Sequence, residues 1–386
     1  MLDLNQLAKA LDTTSGTTGA NLIPQVINPF IIELARKLSP LRAQIPRKPW
    51  NNLTFTYKTR NSTIASQSFG ESDTWSINNS NYGNAVQTMK IFGQLGGVSN
   101  LLQEGSQEFA DAFMLEVDSA VRGAAKYEEN LLLNGNATSN VKQFNGIGAQ
   151  LVSNVNSAAG QITFDLLDGM DDAVKSRGFG LDPDSCCWVT TPNMSTVIAR
   201  LTQPYFRQDG NPMNLQGGFA ATVYRNKRIL ESSAAEVVTY VATETLAGSG
   251  KVYTFAQPFP IIASYDDQLG NLNSSGSPAP APVITVSGVT QPASGYTITV
   301  SPFTGVGTIT FASTPGAAPV ATYYYKQQNL FLLDFSTMTV PVLHELGFEN
   351  LPDPINVDQK VFRVKAYECL AVMAEVGNAV AYGVHG

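Results

Sequence analysis

The sequence predicts an α+β fold with an N-terminal arm, an extended β-hairpin loop, one helix of almost thirty residues, an α/β region and an all-β insertion. Three observations predict it. Two alternating runs, LTFTYKT (53–59) and AVQTMKIF (85–92), flank about 25 polar residues that carry no core of their own. From Ser106 to Leu133, Phe109, Ala112, Phe113, Val117, Ala120, Val121, Ala124 and Leu131 recur at steps of three and four, the period of an amphipathic helix. At residue 266 the composition shifts to short alternating runs separated by Gly, Pro and Ser.

Residues 1–20 are polar and rich in Gly and Thr, an arm that does not order alone. In the next segment Ile27, Ile31, Leu34 and Leu38 keep helical spacing. Leu53, Phe55 and Tyr57 then alternate with Thr54, Thr56 and Lys58, a half-buried strand. The polar stretch 60–84 holds only Phe69, Trp75 and Tyr82 as aromatics. A two-stranded hairpin is marginal in water, so something outside the chain should hold this arm, with an aromatic such as Trp75 packing against it. The long helix has Ser106 as its cap and Gly135 as its C-terminal stop. It makes a rod of about 42 Å, a strut along one side of a sheet. Beyond it, TFDLLDGMDDAVKSRG (163–178) opens on a capping Asp165, with acidic residues suited to the helix dipole. SCCWVTTP is a buried strand, NMSTVIARL (193–201) a second helix, and 251–265 is extended. Within the insertion YTITV, GTITF and VATYYYK read as three strands. VFRVKAYECLAVM returns as a strand that closes the sheet on the long helix.

Composition excludes more than it identifies. Charged residues make up 14% of the 386, against roughly 25% in an ordinary soluble domain, so much of the surface should be covered by other copies or partners. A net charge of −7 argues against a chain-wide grip on nucleic acid. The N-terminus lacks a basic region followed by an apolar core, and no apolar run reaches the ~18 residues of a membrane span, so the chain is expected to stay in the cytoplasm. Cys186, Cys187 and Cys369 lie in apolar runs and read as buried thiols. With two histidines, His344 and His385, catalysis would rest on His344, which reads as an ordinary strand or turn residue. AGSGKV (247–252) has Val252 where a P-loop needs Ser or Thr, and NGNATSN (134–140) lacks the glycine and closing glutamate of a calcium loop. No catalytic, cofactor-binding or metal-binding residues emerge, and no enzyme is expected.

Several segments, in order, resemble the tailed-bacteriophage major capsid protein of the Hong-Kong-97 type. They are LIPQVINPFIIELARKLSPLR, GGVSNLLQEG, AKYEENLLLNGNATSN with FNGI after it, WVTTPNMSTVIARL, LFLLDFST and DQKVFRVKAYECLAV. The resemblance covers roughly 21–265 and 326–386. It implies an N-terminal arm and helix over 1–45, an extended loop over 46–92, and a peripheral domain from 93–160 and 326–386 with its spine helix at 106–133. An axial domain at 161–325 would contain the all-β insertion at about 266–325. At the joint LLLNG…FNGI, the glycines would turn the backbone where the spine hands over to the sheet. The extended loop would lie across a neighbouring subunit, with Lys58, Phe69, Trp75 and Tyr82 in inter-subunit contact. The implied function is structural: pentamers and hexamers closing into an icosahedral shell around double-stranded DNA, assembled in the host cytoplasm. Scaffolding, portal and decoration proteins are the implied further partners. The acidic balance would let packaged DNA slide. The alternative is an encapsulin shell around a cargo enzyme. Only about 20 residues precede NLIP, so the scaffolding segment of many relatives would be a separate protein, absent or already cleaved. Nothing places an asparagine or an acid beside Lys48 or Lys58, so the lysine–asparagine cross-link of some relatives is not carried over.

Overall fold

The computed structural model describes residues 40–60, 68–74, 79–106, 112–157, 160–206, 223–262, 281–302, 304–352 and 358–386. All of them belong to the unit Ser39–Gly386. The expected arm at 1–20, most of the helix that follows it, Trp75, and most of the linker SSGSPAPAP lie outside the described residues.

The arm hairpin pairs Thr54–Arg60 with Tyr82–Thr88, Phe55 opposite Gln87 and Tyr57 opposite Ala85. Alternation puts Phe55 and Tyr57 on the inner face and leaves Lys58, Tyr82 and Val86 on the outer one. The run expected as one strand over 85–92 is in fact two. Met89 is buried and donates its N–H to the Leu53 carbonyl at 2.9 Å, closing the base of the hairpin. From Lys90 the chain joins a different sheet, ordered 47–49, 338–350, 359–368 and 90–99, with 371–372 on the side.

That sheet carries the long helix, Ala112–Asn134. Val117, Ala120 and Ala124 pack against Phe362 and Val364 of the returning strand Gln359–Glu368, the closure its alternation predicts. The helix does not stay a one-sided strut: Leu131, Leu132 and Leu133 are all buried, so its last turn enters the core on every side. The cap also differs. Ser106 is the last residue of the helix Asn100–Ser106, whose start is capped by Ser99 Oγ accepting from Leu102 N. Gln103 supplies the acceptor for Phe113 N at 2.9 Å.

A second sheet is built on Cys186–Thr190, buried at all five residues. It runs antiparallel to 331–334 and parallel to 228–231, while 379–382 pairs with 329–332 on the other edge. Alternate residues feed two cores. Cys187, Val189, Phe331 and Leu333 meet Leu131–Leu133. Cys186, Trp188, Leu330 and Leu332 meet Leu167, Met170 and Val174 of the helix Phe164–Lys175, and Met194 and Ile198 of the helix Pro192–Phe206. Burying each such side chain is worth about 1.5–3 kcal/mol, and a strand buried on both faces needs the unbroken apolar run that CCWV supplies.

The helix 164–175 corrects two expectations. Its cap is Thr163, whose hydroxyl accepts from Leu166 N at 3.2 Å, and Asp165 sits in the first turn. Thr163→Ala is expected to lower stability by about 1 kcal/mol in chemical denaturation. Dipole compensation does not explain the other acids. Asp168 and Asp172 each hold Arg225 at 2.9 Å, and Asp171 is shared by Lys175, Arg225 and Lys227. Those three cations outweigh burial and hold the Asp171 carboxyl below its ordinary value.

The strands YTITV and GTITF pair with one another, and GTITF pairs with Val252–Thr254. VATYYYK is the start of a single strand, Val320–Asp334. Its first half pairs with Glu236–Thr245 and its second half with the sheet at Cys186. The small β core thus draws Leu246, Tyr253 and Phe255 from upstream of residue 266. Composition marks only the Gly- and Pro-rich part, because the strands before it have ordinary content.

Candidate assembly surface

The arm hairpin is anchored at its base and open beyond it. Trp50 donates its backbone N–H to Val342 O at 2.8 Å and its indole N–H to Thr54 O at 2.9 Å. Its ring meets Phe55 edge-on at 4.9 Å. The Tyr57 hydroxyl donates to Val372 O at 3.0 Å, and Gln87 bonds Gln150 at 3.1 Å. These contacts spend the inner face on the hairpin's own subunit and leave the outer face without cover.

Of the residues expected at a contact, Lys58 and Tyr82 lie on that outer face. Lys58 is exposed opposite Asn84, and Tyr82 is 64% exposed opposite Arg60. Phe69 is half-buried beside the exposed Gly70–Asp73 turn, in which Asp73 accepts from Gly70 N. Trp75 lies outside the described residues. The structure thus brings Lys58 and Tyr82 together.

Sequence reasoning missed the strand after the hairpin. Ile91 and Leu95 stand on one face of Lys90–Ser99, with Ile91 68% exposed, and Leu101 on the next helix is 81% exposed. Tyr367, Lys365 and Arg363 stand opposite 91, 93 and 95. Lys365 and Arg363 both hold the exposed Glu349, whose carboxyl they depress to about 2. The signal was present as apolar residues at 91 and 95, hidden by reading 85–92 as one strand. Among the described residues strand Lys90–Ser99 ends the sheet order, and an unpaired edge of this length is a template for another chain.

Beneath the base of the arm lies a buried ionic cluster. Arg47, on the strand Arg47–Pro49 that leads into the hairpin, donates Nη1 to Glu128 and Nη2 to Glu368, both at 2.6 Å. It also meets Glu345 at 3.0 Å, and Arg42 lies 3.3 Å from Glu128. The Glu128 and Glu368 side chains are fully buried. Burial, with Glu128 nearby, raises the Glu368 carboxyl to about 8. Burial opposes the Arg47 charge, but Glu368 and Glu128 more than offset it and raise the guanidinium above its ordinary value.

The joint between 134 and 147 is held by backbone contact. Gly135 N bonds Leu131 O at 3.0 Å, and Gly146 N bonds Gly135 O at 2.7 Å. Neither glycine has a positive φ, so they do not serve as left-handed turns. Their role is close approach: a Cβ on Gly146 would stand 2.5 Å from Leu131 O and 2.7 Å from Gly135 N. Asn136 and Asn145 close the loop by accepting from Thr138 N and Ala137 N, and the described residues include no group of acids, cysteines and histidines that could hold a metal.

No protein-family model and no curated sequence matches the chain. Solved structures do. The capsid of a native GTA particle aligns over 97% of this chain and 99% of its own, with a TM-score of 0.55 at 12% identity. A structure of Gordonia phage Cozz aligns over 97% and 95%, with a TM-score of 0.53 at 12% identity. The chain has the phage capsid fold. The same capsid fold extends to the holo-SrpI encapsulin complex from Synechococcus elongatus, over 98% of this chain and 95% of that one, with a TM-score of 0.50 at 11% identity. Both capsid structures match nearly end to end.

Proposed function

We propose that this chain is a major capsid protein, a structural coat subunit without enzymatic activity. It self-assembles as pentamers and hexamers into an icosahedral shell around packaged double-stranded DNA. One observation carries the reading: the arm hairpin has its inner face committed to its own subunit and its outer face, with Lys58, Tyr82 and Val86, uncovered. The inner face steadies the hairpin, while Tyr82 and Val86 leave apolar surface exposed on the outer one, and a second copy of the chain is the cover a shell supplies. Heterologous contacts of this kind generate rings, and small changes in their angle close a shell. The contact set is Lys58, Phe69, Trp75 and Tyr82. In this reading 46–92 is the extended loop, 93–160 and 326–386 the peripheral domain, and 161–325 the axial domain. The insertion at about 266–325 faces outward near the axial domain, where a decoration protein would sit. Scaffolding and portal proteins are the other partners; assembly occurs in the host cytoplasm and the product is the virion capsid.

The encapsulin match favours a second reading, a shell around a cargo enzyme. Electron microscopy of the purified chain, with nucleic acid and co-purifying protein assayed in the same fraction, separates the two. Closed shells with DNA support the first reading and shells with an enzyme the second. The triple variant Lys58→Glu, Tyr82→Ser, Val86→Ser is expected to fold, with stability changed by less than about 0.5–1 kcal/mol, and to form no shells. Shells formed as well as by the wild type would remove the outer face from the interface.

A further inference from the structure

We propose that Arg47, Glu128 and Glu368 form a proton-operated latch that holds the base of the arm hairpin against the long helix and the returning strand. Five charged side chains meet at one place. Arg42 comes from the helix Pro40–Gln44, Arg47 from the strand entering the arm, and Glu128 from the long helix. Glu345 and Glu368 come from the two neighbouring strands of the sheet. Three carboxylates thus face two guanidiniums, and two of the three carboxylates are fully buried. Lys90, opposite Glu368 in register, turns its ammonium to Val141 O and forms no ion pair with the cluster among the described residues. Cys369 beside Glu368 is a buried thiol that its surroundings push up to about 12, so it stays neutral.

Among the described residues the cluster is therefore one cation short when every acid is ionised. Protonating one acid balances it, and the geometry selects which. Glu368 Oε1 and Glu128 Oε2 both lack a hydrogen-bond partner among the described residues, but Glu128 has two guanidiniums beside it and Glu368 has Arg47 alone, so Glu368 is the acid that holds the proton. Glu128 Oε1 accepts from Arg47, and its Oε2 lies beside Arg42.

With Glu368 protonated, Arg47 bridges a neutral acid and a carboxylate, and three elements are clamped. When Glu368 ionises, two buried like charges face each other across one guanidinium. The element easiest to displace is the three-residue strand 47–49, which continues through Trp50 into the arm. Glu368 is held above the ordinary carboxyl value, so the folded chain binds a proton that the unfolded chain has released. The latch is whole below the unfolded value of 4.5, weakens across the interval up to about 8, and is lost above it. In a shell, whose existence rests on the reading above, this would let pH set how firmly each arm is held.

The test is made on the isolated full chain, so its outcome does not depend on whether shells form. Amide protection factors, which divide out the intrinsic pH dependence of exchange, are measured for residues 47–58 and 82–88 from about pH 6 to about pH 9. The expected result is a drop of roughly tenfold or more in the wild type, and constant protection in Glu368→Gln, which keeps an acceptor for Arg47 without the charge. Wild type and variant falling in parallel would overturn the proposal. Should Glu368→Gln not fold, the wild type alone decides: unchanged protection across the range also overturns it.

Discussion

Arg47→Met is expected to destabilise the chain by about 3–5 kcal/mol, the cost of leaving the buried Glu128 carboxylate, and the Glu368 acid beside it, without their partner. Glu128 and Glu368 would both lose a 2.6 Å bond at zero side-chain exposure, and the guanidinium that remains, Arg42, is 28% exposed and lies 3.3 Å from Glu128. Native stabilities are about 5–15 kcal/mol, so the variant should lose much of its margin and be recovered in poor yield. The denaturation midpoint in urea is the measurement. The mechanism predicts rescue: Arg47→Met combined with Glu128→Leu and Glu368→Leu should regain most of the loss, because an apolar cluster of similar volume has no ions to desolvate. A triple variant no better than Arg47→Met would mean that Arg47 acts by shape alone.

This cluster shows what a linear reading cannot reach. Arg47 and Glu368 stand 321 positions apart and Arg47 and Glu128 stand 81 apart, and neither pairing leaves a trace in spacing or composition. The one local hint was Glu128 and Glu129 just before Leu131–Leu133, two acids on a stretch of helix that becomes buried. Elements governed by neighbouring residues were legible. Cys186–Thr190 is apolar because both its faces are buried, and the arm hairpin declares its inner face by alternating Phe55 and Tyr57 with Thr56 and Lys58. The cap of the helix 164–175 was placed two residues off, at Asp165, because Thr163 and Asp165 both fit the local rule and only backbone geometry chooses. The outer-face residues Lys58 and Tyr82 could be named from an unsupported arm. Ile91 and Leu95 could not, because the break at Met89 is set by where the partner strand ends.

Gly146→Ala is expected to be the most damaging single-methyl change in the chain's central joint. The added carbon would meet three backbone atoms within 3 Å: Leu131 O at 2.5 Å, Gly135 N at 2.7 Å and Leu132 O at 2.9 Å. None can swing aside as a side chain would. Leu131 O already accepts from Gly135 N, and Gly135 O from Gly146 N, so relief means pulling the returning loop off the last turn of the helix. Phe144 and Ile147, buried on either side of the glycine, would be drawn out with it. Overpacking of a rigid site costs about 1–3 kcal/mol or more, and losing two buried backbone bonds adds about 1–3 kcal/mol for each group left unsatisfied. Intrinsic propensity predicts the opposite sign, since the backbone at Gly146 has φ −75, which alanine tolerates. The control is Gly169→Ala in the helix 164–175, where a Cβ meets nothing within 4 Å. It should stabilise by about 0.5–1 kcal/mol through helix propensity. Thermal melting of the two variants beside the wild type decides the matter. Opposite shifts mean that the joint is fixed by contact between backbones; a neutral Gly146→Ala would mean that the loop gives way, and that the strut is held by its side chains alone.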